Sequence, residues 1–275
     1  MKRLIGKSVL LAAIVVALSA GLLAVDTAPD VDVVGPKLEY FQEHAGDYDT
    51  VFVGSSYFYR EIAPSEFDRV TAEAGVPTRS FNLGVPGMDP PETYYVVDRI
   101  LAVRPQRLKY VVLELDYFRE KVRPRNVHTR RFDYWHDGVR TSEAVRGARQ
   151  SNVNWRKRAK DAGSHLEAAL RRFFNIGRGR AYVEEATRRF LGGGDQAAVL
   201  GARLDGFLAL DDEVSERNDV RRGFYSAFEE DRYAEKLDEL KRAEVVDDEN
   251  DSGVDPIDVE ALRRAVARIE AAGAR

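Results

Sequence analysis

The sequence predicts an α/β protein with a parallel sheet, standing behind a membrane-spanning helix at its amino terminus. Three observations predict it. Apolar runs at 51–53, 79–83 and 108–115 alternate with segments of helical periodicity, the pattern of strands joined by right-handed helical crossovers. Each run ends in a polar or glycine-containing stretch that would emerge on one edge of the sheet: Gly54-Ser55-Ser56, Gly84-Val85-Pro86-Gly87 and Glu114-Leu115-Asp116. Residues 8–25 form an unbroken run of 18 without a charge. A chain of 275 residues permits one large domain or two small ones. The absence of cysteine excludes disulfides, cysteine zinc sites and a thiol nucleophile. A net charge of -4 gives no pull toward nucleic acid, which is not expected as a partner.

The amino-terminal run is long enough to cross a bilayer, which takes about 17–25 residues. Lys2, Arg3 and Lys7 precede it, and Asp26, Asp30 and Asp32 follow. That asymmetry places the amino terminus in the cytoplasm and the rest outside, as a single-pass protein. A cleaved signal peptide is the competing reading, with Ser19-Ala20-Gly21 as its cleavage site. The apolar run continues through Leu22 to position 25, which favours an uncleaved anchor. Residues 1–35 are therefore read as anchor and tether.

The α/β core is expected over 36–118. Pro36 opens a helix carrying Leu38, Phe41 and His44. After the strand at 51–53, Pro64 opens a second helix, with Ser65 and Asp68 at capping-box spacing and Gly75 at its end. The strand at 79–83 runs into the second glycine turn. Pro90-Pro91-Glu92 begins a third helix, whose Tyr94, Val97, Ile100 and Leu101 recur at helical steps before the strand at 108–115.

Ligands of open α/β sheets bind beyond the carboxyl ends of the strands. A serine on one such turn and bare glycine backbone on the next are what acyl transfer needs: a hydroxyl to attack and N–H groups to hold the oxyanion. Plain βα connections also use Gly and Ser. There is no G-x-S-x-G elbow, no G-x-G-x-x-G and no Walker A sequence.

Gly54-Ser55-Ser56 and Asn82-Leu83-Gly84-Val85-Pro86-Gly87 resemble the first two sequence blocks of the SGNH (GDSL-type) hydrolases. The resemblance covers about 49–118 and is nearest to the membrane-anchored branch that transfers acyl groups in the cell envelope. It implies a three-layer α/β/α sandwich, Ser56 as nucleophile, and the Ser56 and Gly87 amides as oxyanion donors. Ser55, Asn82, Gly84 and Asp116 would line the substrate. The expected partner, besides the membrane, is a cell-envelope polymer or acyl donor; no cofactor or metal is expected. The third block, Gly-x-Asn-Asp, is replaced here by Leu115-Asp116-Tyr117-Phe118, without an asparagine.

A serine nucleophile needs a base, usually histidine oriented by a carboxylate. Asp133-Tyr134-Trp135-His136 has the family's Asp-x-x-His spacing but follows the third strand, whereas the family places that pair near the carboxyl terminus. Phe132, Tyr134 and Trp135 also read as an aromatic packing cluster. Residues 119–254 read as a charged helical insertion with helices at 155–174, 181–191 and 197–210. Within it 119–160 carries 13 basic against 4 acidic residues, while 205–260 carries 7 against 20. That basic face either meets anionic lipid or acidic polymer, or is neutralised within the fold. Residues 255–275 form a final amphipathic core helix capped at Gly273. In an α/β fold such a helix feeds another strand, so a carboxy-terminal strand and loop are expected to be missing. The function expected is ester hydrolysis or O-acyl transfer outside the cytoplasm; the alternative is a catalytically inactive or truncated envelope binding or assembly protein.

Overall fold

Apolar β-branched and aromatic residues make the central strand β1, Thr50–Val53, which is buried along its whole length. The structure is a computed structural model that describes residues 2–25, 31, 33–115, 127–151, 153–174, 197–209 and 256–275. Strand β2, Ser80–Asn82, is also fully buried, and β3, Tyr110–Leu113, lies at the sheet edge with Tyr110 and Val112 exposed. The order is β2-β1-β3 and both pairings are parallel, with Val51 opposite Phe81 and Val111. The protein is thus mixed α/β, with a small parallel sheet and a majority of helix among the described residues. The strand expected at 108–115 is shorter at both ends: Leu108 and Lys109 precede it, and past Leu113 one backbone bond, Glu114 N to Val53 O (3.0 Å), remains before the chain leaves the sheet.

Residues 2–25 form one helix, α1 (Lys2–Val25), whose segment Ile5–Leu23 is long and apolar enough to cross a membrane. Helix α2, Val34–His44, begins two residues before Pro36 and buries Val34, Leu38 and Phe41. Helices α3 (Ser56–Glu61) and α4 (Pro64–Glu73) link β1 to β2. The capping box expected at Ser65 and Asp68 does not form. Pro64 starts α4 without a side-chain cap. Asp68 instead accepts from Ser80 N (2.9 Å), Ser80 Oγ (2.6 Å) and Thr78 Oγ1 (2.7 Å), tying α4 to the start of β2. Gly75 ends α4 with φ +81°, the left-handed conformation that favours glycine.

Helix α5, Pro90–Ala102, crosses from β2 to β3 and packs on β1 and α2. Beyond β3 come α6 (Arg130–Asp133), α7 (Gly138–Gln150) and α8 (Trp155–Phe173), the last two packed as a hairpin. Glu92 of α5, fully desolvated, holds this region through Arg131 (3.1 Å on both oxygens) and the Tyr134 hydroxyl. Burial pushes the Glu92 carboxyl up from its ordinary value, and the Arg131 charge opposes that shift. The helix expected at 197–210 is only α9, Ala197–Leu200. It stops because Gly201 and Gly206 take positive φ and turn the chain back onto Asn82. The helix expected at 181–191 lies outside the described residues.

Helix α10, Pro256–Ala271, packs on α5 and α7, where Asp98 takes Arg140 and Arg268, and Glu143 takes Arg264 at 3.0 Å. Gly273 closes it with φ +85°. Arg275 N then donates to Lys109 O (2.7 Å), and Val111 N donates to Arg275 O (2.9 Å). These two bonds make a parallel rung with β3 on the side away from β1.

Candidate active site

Parallel strands send their carboxyl ends to one edge, so the three turns meet there. Val85 N donates to Gly54 O at 2.9 Å, joining the turn after β2 to the turn after β1. Gly84 lies against the α3 backbone at Phe58 and Tyr59, so close that a Cβ would collide with Tyr59 N. The third turn is fastened by Glu114. Its carboxylate accepts from Ser55 N (2.5 Å) and from Ser55 Oγ (2.7 Å). Ser55 Oγ also accepts from Tyr57 N (3.3 Å), capping α3.

The two adjacent serines therefore differ. Ser55 is buried and fully engaged in holding the turn. Ser56, half-buried at the first position of α3, makes no side-chain hydrogen bond among the described residues. Gly87 is exposed with φ +70°, and its amide has no acceptor among the described residues. A free hydroxyl and a free amide thus stand on adjoining turns. Asn82, expected to line the substrate, is instead a structural staple, completely buried. Its Nδ2 donates to Phe58 O (2.5 Å) and Ile62 O (2.7 Å), and its Oδ1 accepts from Gly84 N (2.7 Å). Asp116 lies outside the described residues.

Beneath this edge sits Lys37, which belongs to no motif. Its side chain is completely buried, and its Nζ donates to Asn82 O (3.1 Å), Gly84 O (2.6 Å) and Gly206 O (2.6 Å). It also lies 3.8 Å from the Tyr59 ring centre. Burial lowers its pKa well below the ordinary lysine value; Arg60 adds to that and Asp205 opposes it. The three carbonyls pull the other way, because only an ammonium has three N–H bonds to satisfy them all.

Asp133 and His136 are not brought together. The Asp133 carboxylate takes Arg171 at 2.7 Å. His136 is buried between Phe132 and Trp135, with Nδ1 on Phe132 O (2.5 Å) and Nε2 on His165 Nδ1 (2.8 Å). The aromatic cluster read from Phe132, Tyr134 and Trp135 is its setting. His44 faces Tyr40 O at 2.9 Å, and His128 sits with Arg171 and Glu167. Among the described residues no histidine bonds Ser56, and no three metal-ligating side chains come together. The comparisons return nothing: no protein-family model, no curated protein and no solved structure matches the chain.

Glu114 also explains Gly54. A Cβ at position 54 would stand 2.6 Å from Glu114 Cβ and against its carboxylate. Gly54→Ala is expected to cost about 1–3 kcal/mol through overpacking. Glu114→Gly in the same chain, which removes the Cβ as well as the carboxylate, should recover part of that loss in thermal melts. Equal losses with and without Glu114 would rule the clash out.

Proposed function

We propose that the chain is a membrane-tethered SGNH-type ester hydrolase or O-acyltransferase, working on an acyl donor or envelope polymer outside the cytoplasm. Its sheet and helices would be the core of a three-layer α/β/α sandwich, with the amino terminus of α1 in the cytoplasm. The observation that carries the reading is the joining of the serine turn to the glycine turn, which leaves the Ser56 hydroxyl and the Gly87 amide unbonded on neighbouring loops. Ser56 Oγ attacks the acyl carbonyl and passes its proton to a base. The Ser56 and Gly87 N–H groups hold the oxyanion. The ester C–O bond breaks, the leaving oxygen takes a proton, and water or an acceptor hydroxyl then takes the acyl group from Ser56.

One observation favours a second reading. All four histidines are bonded to partners other than Ser56, so an Asp133–His136 pair acting on Ser56 would have to leave Arg171, Phe132 and His165 first. On this reading the chain is a catalytically inactive envelope binding or assembly protein. A fluorophosphonate probe, applied to folded full-length protein in detergent, separates the two. The enzyme reading expects labelling of wild type that vanishes in Ser56→Ala. Folded wild type that takes no label belongs to the second reading.

A further inference from the structure

Helix α8 has one face in the fold and one left bare. Asp161, Ala162, His165 and Ala168 face inward. About a third of a turn round the helix, beyond Ala162 at the margin of that face, Trp155 is 72% exposed, Leu166 51% and Leu170 56%. Leu166 and Leu170 are one turn apart and Trp155 lies three turns before Leu166, so the three share a stripe about 22 Å long at 1.5 Å per residue. Phe174 continues it just past the helix end.

The charge beside the stripe is one-sided. Arg156 lies 5.6 Å from the Trp155 ring centre, and neither it nor Lys160 has an ion-pair partner among the described residues. Arg158 donates to the carbonyls of Val153 and Arg149 and meets no carboxylate among the described residues. The two acidic residues of α8 are taken: Asp161 by Lys157 at 2.7 Å, Glu167 by His128 and Arg171. The surplus is positive. Helix α1, long and apolar enough to span a bilayer, packs against α8.

An apolar stripe with an exposed tryptophan and a basic rim is the pattern of a helix lying in a lipid interface. We propose that α8 rests on an anionic phospholipid surface beside the point where α1 enters the bilayer. Trp155, Leu166 and Leu170 dip into the headgroup boundary, and Arg156 and Lys160 meet lipid phosphates. An apolar stripe has no use for a soluble acidic polymer, and α1 supplies the bilayer at the right place. The inference stands apart from the chemistry of Ser56.

The chain has two tryptophans, Trp135 buried and Trp155 exposed, so fluorescence reports on α8 directly. Full-length protein is reconstituted into phosphatidylcholine vesicles with or without phosphatidylglycerol, each carrying lipids brominated near the headgroup. The expected result is quenching in the anionic vesicles that disappears in Trp155→Phe. Arg156→Glu with Lys160→Glu should weaken it at least about twofold, since both cations proposed to meet the lipid phosphates become anions that the surface repels. Trp155 emission that the lipids leave unquenched, while aqueous iodide still quenches it, overturns the proposal. So does quenching that is equal with and without phosphatidylglycerol and unmoved by the charge reversal. A response of detergent-solubilised protein to soluble polyglutamate as large as that to vesicles would assign the face to an acidic polymer instead.

Discussion

Replacing Lys37 with methionine is expected to lower the unfolding free energy by about 3–5 kcal/mol. Methionine keeps most of the unbranched apolar stem, so the change chiefly removes the ammonium. Three buried carbonyls lose their donor, and each unpaired group costs about 1–3 kcal/mol. Methionine needs no desolvation of a charge, which offsets part of the sum. Lys37 gathers Asn82, Gly84 and Gly206 around one nitrogen, so its loss should also loosen the glycine turn and the segment 201–208 together. Urea unfolding of the detergent-solubilised chain measures the first effect, and amide exchange at 82–87 and 201–208 the second. A loss below about 1 kcal/mol would mean that the carbonyls find other donors.

The second large effect is acid destabilisation centred on His136 and His165. Burial holds His136 at about 2 and His165 at about 4, against an ordinary value of 6.5. The His165, Arg172 and Arg171 charges add to the shift of His136, and Asp161 partly counters that of His165. The hydrogen bond between the rings joins two neutral imidazoles, one donating and one accepting. Between about pH 6.5 and 4 the unfolded chain therefore carries protons that the fold does not. The stability from these rings is complete above about 6.5 and drains away as pH falls, by about 1.4 kcal/mol per pH unit for each ring. Buried carboxyls such as Glu92 and Glu143 are raised and act in the opposite sense, so the comparison is with a variant. Relative to wild type, His165→Gln should gain about 3 kcal/mol in going from pH 6.5 to 4. Parallel stability curves for the two proteins would exclude a neutral buried pair.

The local features of this chain were readable and the distant ones were not. Helices begin near Pro64, Pro90 and Trp155 and end near Gly75 and Gly273, as those residues dictate from their own backbone preferences. The three strands stand where short apolar runs meet glycine turns, and the first two turns do meet. What escaped were the long-range polar contacts that fasten these elements together. Glu114 lies 59 residues from Ser55 and looked like one polar residue among others in the loop after β3. Lys37, on an amphipathic helix after a tether, reads as a surface residue because lysine is rarely buried. Its three acceptors are backbone carbonyls, which no sequence pattern displays. The spacing of Asp133 and His136 placed them one turn apart. Arg171 of α8 and the neighbouring His165 then drew them to different partners.

The bond between Ser55 and Glu114 bears on how this sequence can drift. Aspartate at position 55 would set a second carboxylate against Glu114 where a donor is needed. Position 55 can become acidic only after position 114 has become neutral, and position 114 can lose its carboxylate only by releasing Ser55. Two sites in different strand turns are thereby bound to change in a fixed order, while Ser56, one residue on, remains under no such constraint.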